Sequence, residues 1–267
     1  MPSSAPGPRT ALTPSSRAAL LRPGWRAPVG AAMSLRGGGV SGAPWDAFNL
    51  GIAVGDDPQA VAANRAAWAA AIGVRPVWLR QVHGRQVLRI DEATPEAPAA
   101  AADAAWTTER GVACTVQMAD CLPVLFALRD GSAVAAAHAG WRGLAGGVLE
   151  ATVAAVCTGM RTAPADLLAW LGPCIGPRAF EVGADVLQAF GADPRAGDGG
   201  RFVARSRPDG SPRWLANLQR LARDRLEALG VVEISADASC TFEDASRFFS
   251  FRRDGVTGRM AAAVWRL

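Results

Sequence analysis

The stretch QMADCLPVLF, residues 117–126, places an aspartate and a cysteine directly before an apolar run of strand length. A second stretch, AAAHAGWRGL at residues 135–144, carries a histidine where its own apolar run ends. The turn at residues 129–132, with its Asp-Gly pair, separates the two runs, which predicts a buried hairpin. VACTVQMA, residues 112–119, comes just before and predicts a third strand in the same region.

Helices are predicted on both sides of this strand region. In GDDPQAVAANRAAWAAAIG, Asp57 is a predicted N-cap, Pro58 occupies the first helical position and Gly73 ends the helix. Further along, WLANLQRLARDRLEALG at residues 214–230 has its apolar side chains on one face of an amphipathic helix. Two more helices are expected, one opening at Gly143 and one over GADVLQAFGA. DLLAWLG and VVEISA read as strands.

Two more segments have the pattern of hairpins. VWLRQVHGRQVLRI, residues 77–90, alternates around a His-Gly turn, and the C-terminal segment from residue 247 does so around Asp254-Gly255. Strands and helices therefore alternate loosely, with several direct strand-to-strand turns. This pattern predicts a mixed α/β (α+β) fold, with layered sheets flanked by helices in a single catalytic domain over residues 25–267. Residues 1–24, rich in Pro and Ser, are predicted to be a flexible leader.

Composition narrows the class of protein. Half of the 267 residues are hydrophobic, and the net charge is +4. All the basic residues are arginines. They form no basic stripe along the sequence, which argues against nucleic acid as a partner. No apolar run reaches the roughly 18 residues that a membrane span requires. The five cysteines are odd in number and form no CxxC pair, which indicates a reducing, cytoplasmic location.

The only two histidines of the chain, His83 and His138, and one cysteine, Cys121, all fall at predicted strand ends. Sites in open α/β folds gather at such ends. Two histidines and a cysteine are an acceptable ligand set for catalytic zinc, with water in the fourth position. Two other readings remain open: buried residues without a special role, and a metal-free pair in which His138 activates Cys121 as a nucleophile.

Nearby residues suggest an anion site. Arg36 stands beside the glycine-rich loop RGGGVSG, and Arg142 follows His138 at a predicted helix start, where anions bind well. Asp120 precedes Cys121, so we expect it to be a partner of the metal ligands or a proton acceptor.

Nine motifs, taken together and in order, resemble one family. They are RGGGVSGAPWDAFNLG, GDDPQAVAANR, RQVHG, ADAAWTT, MADCLPVLF, AHAGWRG, LGPCIGP, FEV and FFSFRRDGVTGRM. The resemblance runs from about Trp25 to the C-terminus. The family is the purine nucleoside phosphorylases once named multicopper polyphenol oxidoreductases or laccase-domain proteins, also labelled peptidoglycan editing factor.

The resemblance implies a zinc ion held by His83, Cys121 and His138. It also implies phosphorolysis of adenosine, guanosine, inosine and methylthioadenosine to base and ribose 1-phosphate, with some deamination of adenosine. The implied fold is a layered α/β arrangement shared with cysteine hydrolase-like proteins. Copper is the other metal that the family's name carries, but two histidines are too few for a multicopper site.

Within this reading, Arg36, Arg142 and Asn49 are the predicted substrate-binding residues, while Cys121 and Asp120 are the predicted catalytic ones. Trp45 and Trp141 are candidates for stacking a purine. Trp45, Phe180 and Phe251 stand where family members often have tyrosine, and Cys174 is expected to be structural. The predicted partners are a purine nucleoside and phosphate, and the chain is expected to be a monomer or homodimer. The alternative is a cysteine-type amide hydrolase acting on peptidoglycan precursors, with Cys121 as nucleophile; a non-catalytic binding module fits less well.

Overall fold

The computed structural model describes residues 20–97, 99–193 and 200–267. Its strands, in chain order, are β1 Leu20–Leu21, β2 Val29–Ser34, β3 Arg75–Trp78, β4 Val87–Arg89, β5 Ala104–Thr107, β6 Val112–Met118, β7 Leu122–Leu128, β8 Val134–Ala139, β9 Leu167–Leu171, β10 Glu181–Val182, β11 Phe202–Ser206, β12 Pro212–Ala216, β13 Glu233–Ala236 and β14 Met260–Arg266. Its α-helices are α1 Pro58–Ile72, α2 Trp141–Ala145, α3 Val148–Met160, α4 Ala184–Ala189, α5 Leu218–Ala228 and α6 Phe251–Asp254.

The strands form two large mixed sheets and one small sheet. One large sheet has the order β1-β2-β14-β6-β3, and the other has the order β13-β9-β7-β8-β5-β4. Most neighbours are antiparallel, but β3 runs parallel to β6, β4 to β5 and β13 to β9. The small sheet, β10-β12-β11, is not hydrogen-bonded to either, and its buried side chains join the core on the outer face of the six-stranded sheet. The predicted mixed α/β fold is therefore confirmed.

The two large sheets pack face to face, and alternation along each strand explains how. On β14, Met260, Ala262 and Val264 belong to the core between the sheets, whereas Ala261 and Ala263 face the core beneath α1. Strand β7 is buried on both faces in the same way, which accounts for its unbroken apolar sequence. Helices α3 and α5 cover the outer face of the six-stranded sheet, so the layers run α, β, β, α.

Helix α1 begins and ends where the sequence predicts. The Asp57 side chain accepts a hydrogen bond from the backbone N–H of Gln59, and Gly73 closes the helix in the left-handed conformation. The helix predicted to open at Gly143 is instead two helices. Gly147, with φ of 93°, interrupts the helix, so α2 ends at Ala145 and α3 begins at Val148.

Neither of the two outlying hairpins forms. Strand β3 lies in the five-stranded sheet and β4 in the six-stranded one, so the His-Gly segment crosses from one sheet to the other. At the C-terminus, the Ser250 side chain caps the short helix α6, Gly255 ends that helix, and β14 then enters the centre of its sheet. In both cases local alternation predicted a turn, but pairing with distant strands decided the path.

The predicted leader overlaps the first strand. Leu20 and Leu21 pair with Ser34 and Met33 of β2, four residues before the predicted boundary. Residues 1–19 of the leader lie outside the described residues. Within the part of the chain that is described, no helix combines the length and apolar character needed to cross a bilayer.

Candidate metal centre

His83, Cys121 and His138 come together at one end of the sheet sandwich. Cys121 stands directly before β7 and His138 is near the end of β8, and these two strands are antiparallel neighbours. His83 is carried in by the segment that crosses between the sheets. One donor atom from each residue lies within 4.8 Å of the others, and Cys121 Sγ is 3.8 Å from His83 Nε2. The three residues predicted from strand ends therefore converge in space.

A buried carboxylate that the sequence analysis did not single out organises this cluster. Asp103, fully buried before β5, accepts a hydrogen bond from Nδ1 of His138 at 2.9 Å. The same carboxylate accepts the backbone N–H groups of Val82, His83 and Gly84 at 3.0, 2.9 and 2.7 Å. One side chain thus orients the ring of one histidine and fixes the backbone of the other, whose φ is 59°.

The charges in the cluster support one another. Burial works against the negative charge of Asp103, but its hydrogen bonds with His138 and with backbone N–H groups hold its pKa below the usual range. Burial also opposes ionisation of Cys121, yet His138 and His83 lower the pKa of its thiol to about 6. In turn, Cys121 and Asp103 outweigh the effect of burial on His138 and raise its pKa to about 9. Near neutral pH, these opposite shifts favour the thiolate of Cys121 together with the protonated ring of His138.

Glycines let the backbone pass close to the candidate ligands. A Cβ atom on Gly140 would lie 2.8 Å from Cδ2 of His83 and 2.9 Å from Sγ of Cys121. A Cβ on Gly143 would lie 2.9 Å from the carbonyl oxygen of Gly84, so glycine there lets α2 approach the His83 turn. Thiolate and imidazole are donors that zinc takes, at bond lengths of about 2.0–2.3 Å. The residues present therefore suit a borderline-soft divalent ion such as zinc.

The three candidate ligands open onto a cavity of about 900 Å³. Among the described residues that line it, arginines outnumber acids by five to one. Asp120 is the acid, and the arginines are Arg65, Arg80, Arg142, Arg252 and Arg259. A cavity with this excess of positive charge suits an anionic ligand.

Asp120 is held in place by three other segments. Its carboxylate accepts hydrogen bonds from the Thr241 hydroxyl and from the backbone N–H of Arg252, both at 2.7 Å, and its carbonyl accepts one from Ile175 at 2.9 Å. Its φ of 93° is unusual for a residue with a side chain. Both carboxylate oxygens are thus engaged away from the histidines, which suits Asp120 to fixing the backbone beside Cys121 rather than to accepting a proton.

Two of the predicted substrate contacts lie outside this cavity. The Arg36 guanidinium donates to the backbone carbonyls of Asp46 and Ala245 and forms an ion pair with the Asp46 carboxylate. Asn49 is fully buried, and its side chain bonds to Gly51, Asp56 and the backbone N–H of Arg259. Both side chains therefore have structural partners, and neither lines the cavity.

Aromatic side chains surround the cavity on several sides. Trp141, Phe180 and Phe251 line it, whereas Trp45 does not and uses its indole N–H on the carbonyl of Val54. Phe251 is 57% exposed, so one of its faces is free. The guanidinium of Arg142 lies 4.3 Å from the ring of Trp141. Cys174 is buried beside Cys240 and does not line the cavity.

Comparisons with known proteins identify the group to which this fold and site belong. Residues 30–267 match the family described as multi-copper polyphenol oxidoreductase laccase. A Pseudomonas aeruginosa protein named purine nucleoside phosphorylase is 50% identical over 250 residues, covering 92% of this chain and 98% of that protein. The Escherichia coli protein named purine nucleoside phosphorylase YfiH is 47% identical over 252 residues, with the same coverage. The crystal structure of a Neisseria meningitidis protein, 43% identical, superposes with a TM-score of 0.83 over 92% of this chain and 98% of that one. The chain therefore belongs to the multi-copper polyphenol oxidoreductase laccase family, in the company of proteins named purine nucleoside phosphorylases.

Proposed function

We propose that this protein is a zinc-dependent purine nucleoside phosphorylase. It would cleave adenosine, inosine, guanosine and methylthioadenosine with phosphate to give the free base and ribose 1-phosphate. The observation that carries the proposal is the convergence of His83, Cys121 and His138 on a cavity with five arginines. Relatives of nearly the same length that are named for this activity add independent support.

The charge of the cavity supports phosphate as the second substrate. Phosphate is an anion with several acceptor oxygens, and guanidinium groups match it in charge and geometry. Arg142 is the predicted phosphate contact that also lines the cavity, and its guanidinium has no ion-pair partner among the described residues. It lies against Trp141, which limits the directions in which it can reach.

The aromatic lining supports a purine as the other substrate. Purines bind by stacking on aromatic rings, and Trp141, Phe180 and Phe251 all reach the cavity. The cavity volume of about 900 Å³ is ample for a nucleoside together with phosphate. The phenylalanines at positions 180 and 251 offer stacking without a hydroxyl donor, so we expect the polar edge of the base to be read by other groups.

The chain's own residues set the conditions for the reaction. When bound, zinc in a three-ligand site supplies a Lewis acid with one coordination position left open. Asp103 holds Nδ1 of His138 and thereby turns Nε2 towards Cys121. The arginines neutralise the phosphate and bring it to the sugar, and the aromatic rings hold the base. We infer that the same centre also deaminates adenosine, since zinc with His and Cys ligands serves base deaminases.

One observation favours a second function, a cysteine-type amide hydrolase. Cys121, His138 and Asp103 stand in the order nucleophile, base and orienting acid, and the thiol of Cys121 has a pKa of about 6. A peptidoglycan precursor would then be the substrate. In that case His83 would be a bystander, whereas it is a metal ligand in the phosphorylase.

The two functions are separated by incubating the metal-loaded protein with adenosine, with and without phosphate. A phosphorylase releases adenine only when phosphate is present and yields ribose 1-phosphate in equal amount. Mass spectrometry after incubation with an amide or thioester substrate tests the other function. An acyl adduct on Cys121, together with no phosphate-dependent adenine release, would favour the hydrolase and overturn the phosphorylase.

A further inference from the structure

Arg259 has hydrogen-bond donors that nothing in the described residues satisfies. Its Nη1 donates to the carbonyl oxygens of its neighbours Thr257 and Gly258, at 3.1 and 3.0 Å. Its Nε and Nη2 have no acceptor among the described residues, and no carboxylate there forms an ion pair with it. The side chain is nevertheless partly buried in the wall of the cavity. A sheltered guanidinium with free donors is suited to an anion.

Arg259 lines the same cavity as the three candidate metal ligands. Burial lowers the pKa of Arg259, and the negative charges of Cys121 and Asp120 act on it in the opposite direction. Phe251 lies against the guanidinium, with its ring centre 5.8 Å away. An anion held by Arg259 would therefore lie in the cavity that Phe251 and the candidate metal ligands also line.

The position of Arg259 is fixed by its contacts with residues 49–51. Its backbone N–H donates to Oδ1 of Asn49 at 2.8 Å, and its carbonyl accepts the N–H of Leu50 at 3.0 Å. A Cβ on Gly51 would lie 2.7 Å from Cγ of Arg259, so glycine is needed there for the arginine to pass. Asn49 thereby gains a role that differs from its predicted one: it holds Arg259 rather than the substrate.

The other cavity arginines are engaged or exposed. Arg65 donates to the carbonyl of Leu50 and lies 4.1 Å from the ring of Trp78. Arg80 and Arg252 each donate to one backbone carbonyl, those of Ala99 and Glu181, and both side chains are exposed to solvent. Arg142 has free donors but is exposed to solvent, which weakens its hold on an anion. Of the two that are partly buried, Arg65 leaves only Nη1 without an acceptor among the described residues, whereas Arg259 leaves both Nε and Nη2.

We propose that Arg259 is the principal anchor of the phosphate co-substrate and that Asn49 is the residue that positions it. This inference rests on the proposed phosphorylase function. No bond forms or breaks in the step concerned: the guanidinium donates hydrogen bonds to phosphate oxygens and holds the anion beside the nucleoside. Arg142 then adds a weaker contact at the exposed side of the cavity.

The test compares Arg259→Gln, Asn49→Ala and a control, Arg129→Gln, in the zinc-loaded protein. Arg129 is an exposed arginine at the far end of β7 from Cys121, so its substitution removes one positive charge outside the site. For Arg259→Gln we expect the phosphate concentration at half-maximal rate to rise about 10- to 100-fold, with the nucleoside KM nearly unchanged. Asn49→Ala should give a smaller rise in the same direction, and Arg129→Gln should match the wild type.

Binding of inorganic phosphate, measured by calorimetry with sulfate as competitor, separates this inference from the proposed function. If the wild type binds phosphate and Arg259→Gln does not, Arg259 is the anchor even in a protein that proves inactive on nucleosides. Arg259→Lys keeps the charge and is the second variant should Arg259→Gln lose its cooperative thermal transition; it should bind phosphate several-fold more weakly than the wild type. Unchanged phosphate binding in the folded variant, or a wild type that binds no phosphate, would overturn the proposal.

Discussion

The Nδ1 atom of His138 lies 2.9 Å from Oδ1 of Asp103, whose carboxylate also gathers three successive backbone N–H groups around His83. Because Nδ1 is committed to Asp103, the other ring nitrogen of His138 is the one available to a metal. The same carboxylate holds His83 in a backbone conformation that side chains rarely adopt. Asp103 is therefore the residue through which both histidines of the site are arranged.

Replacing Asp103 by Asn should weaken metal binding by about 10- to 100-fold while the chain still folds, since an amide cannot accept so many N–H groups at once. Competition for zinc with a chelator of known affinity measures the effect. Asp91→Asn, in an exposed turn, is the control and should leave the affinity unchanged. Equal zinc affinity in Asp103→Asn and wild type would show that Asp103 has only a structural role.

Substituting Gly140 by Ala should greatly reduce zinc binding, while the chain still folds. The new Cβ would meet both His83 and Cys121 at less than 3 Å. Gly42→Ala is the matched control, because a Cβ there meets nothing within 4 Å. Zinc content by elemental analysis should fall in the first variant and stay at the wild-type value in the second, with cooperative thermal unfolding in both. Full zinc content in Gly140→Ala would contradict the proposed position of the ion.

Zinc binding should release protons, and the number released per zinc should depend on pH. In the metal-free protein the pKa of Cys121 is about 6 and that of His138 about 9, so near pH 7.5 the thiol is ionised and the imidazole is protonated. Zinc takes the thiolate directly but must displace the proton of His138. Calorimetry in buffers of different ionisation enthalpy should therefore show release of about one proton from this pair at pH 7.5. The release should fall as the pH rises through 9; the same release at pH 7.5 and 10 would contradict the proposed ion pair.

Arg142→Ala tests the exposed side of the phosphate site. Since Arg142 is solvent-exposed and lies on Trp141, we expect the phosphate concentration at half-maximal rate to rise only a few-fold. Zinc content should stay the same, because Arg142 forms no hydrogen bond with the side chains of the three candidate ligands. Steady-state rates at varied phosphate, together with elemental analysis, measure both. A loss of zinc in Arg142→Ala would mean that the residue supports the metal rather than the anion.

The three candidate metal ligands could be picked out from the sequence because strand ends are visible as the ends of apolar runs. Cys121 and His138 flank a hairpin whose turn is also plain in the sequence, so their closeness follows from local pairing. The position of His83 is harder to predict, because its segment has the alternating pattern of a hairpin but crosses between two sheets. The crossing depends on the Asp103 carboxylate, 20 residues away from His83 in the chain, which no local pattern reveals.

The residues that surround the three candidate ligands could mostly not be predicted from the sequence. Asp103 lies in ADAAWTT, one of the motifs that carry the family resemblance, but a single aspartate before a strand has many ordinary explanations. The glycine-rich loop beside Arg36 predicted a phosphate contact, but the Arg36 guanidinium donates to the backbone carbonyls of Asp46 and Ala245. Arg259 is one of many arginines in a chain without lysine, and only the structure shows that it is partly buried in the cavity wall with free donors.

A titration of the metal-free protein with zinc, with adenosine phosphorolysis measured at each addition, tests the central claim most directly. The account predicts that adenine and ribose 1-phosphate formation rises linearly and stops rising at one zinc per chain, and that His83→Ala shows neither the break nor the activity. Full phosphorolysis by the metal-free protein, or unchanged zinc-dependent activity in His83→Ala, would contradict it.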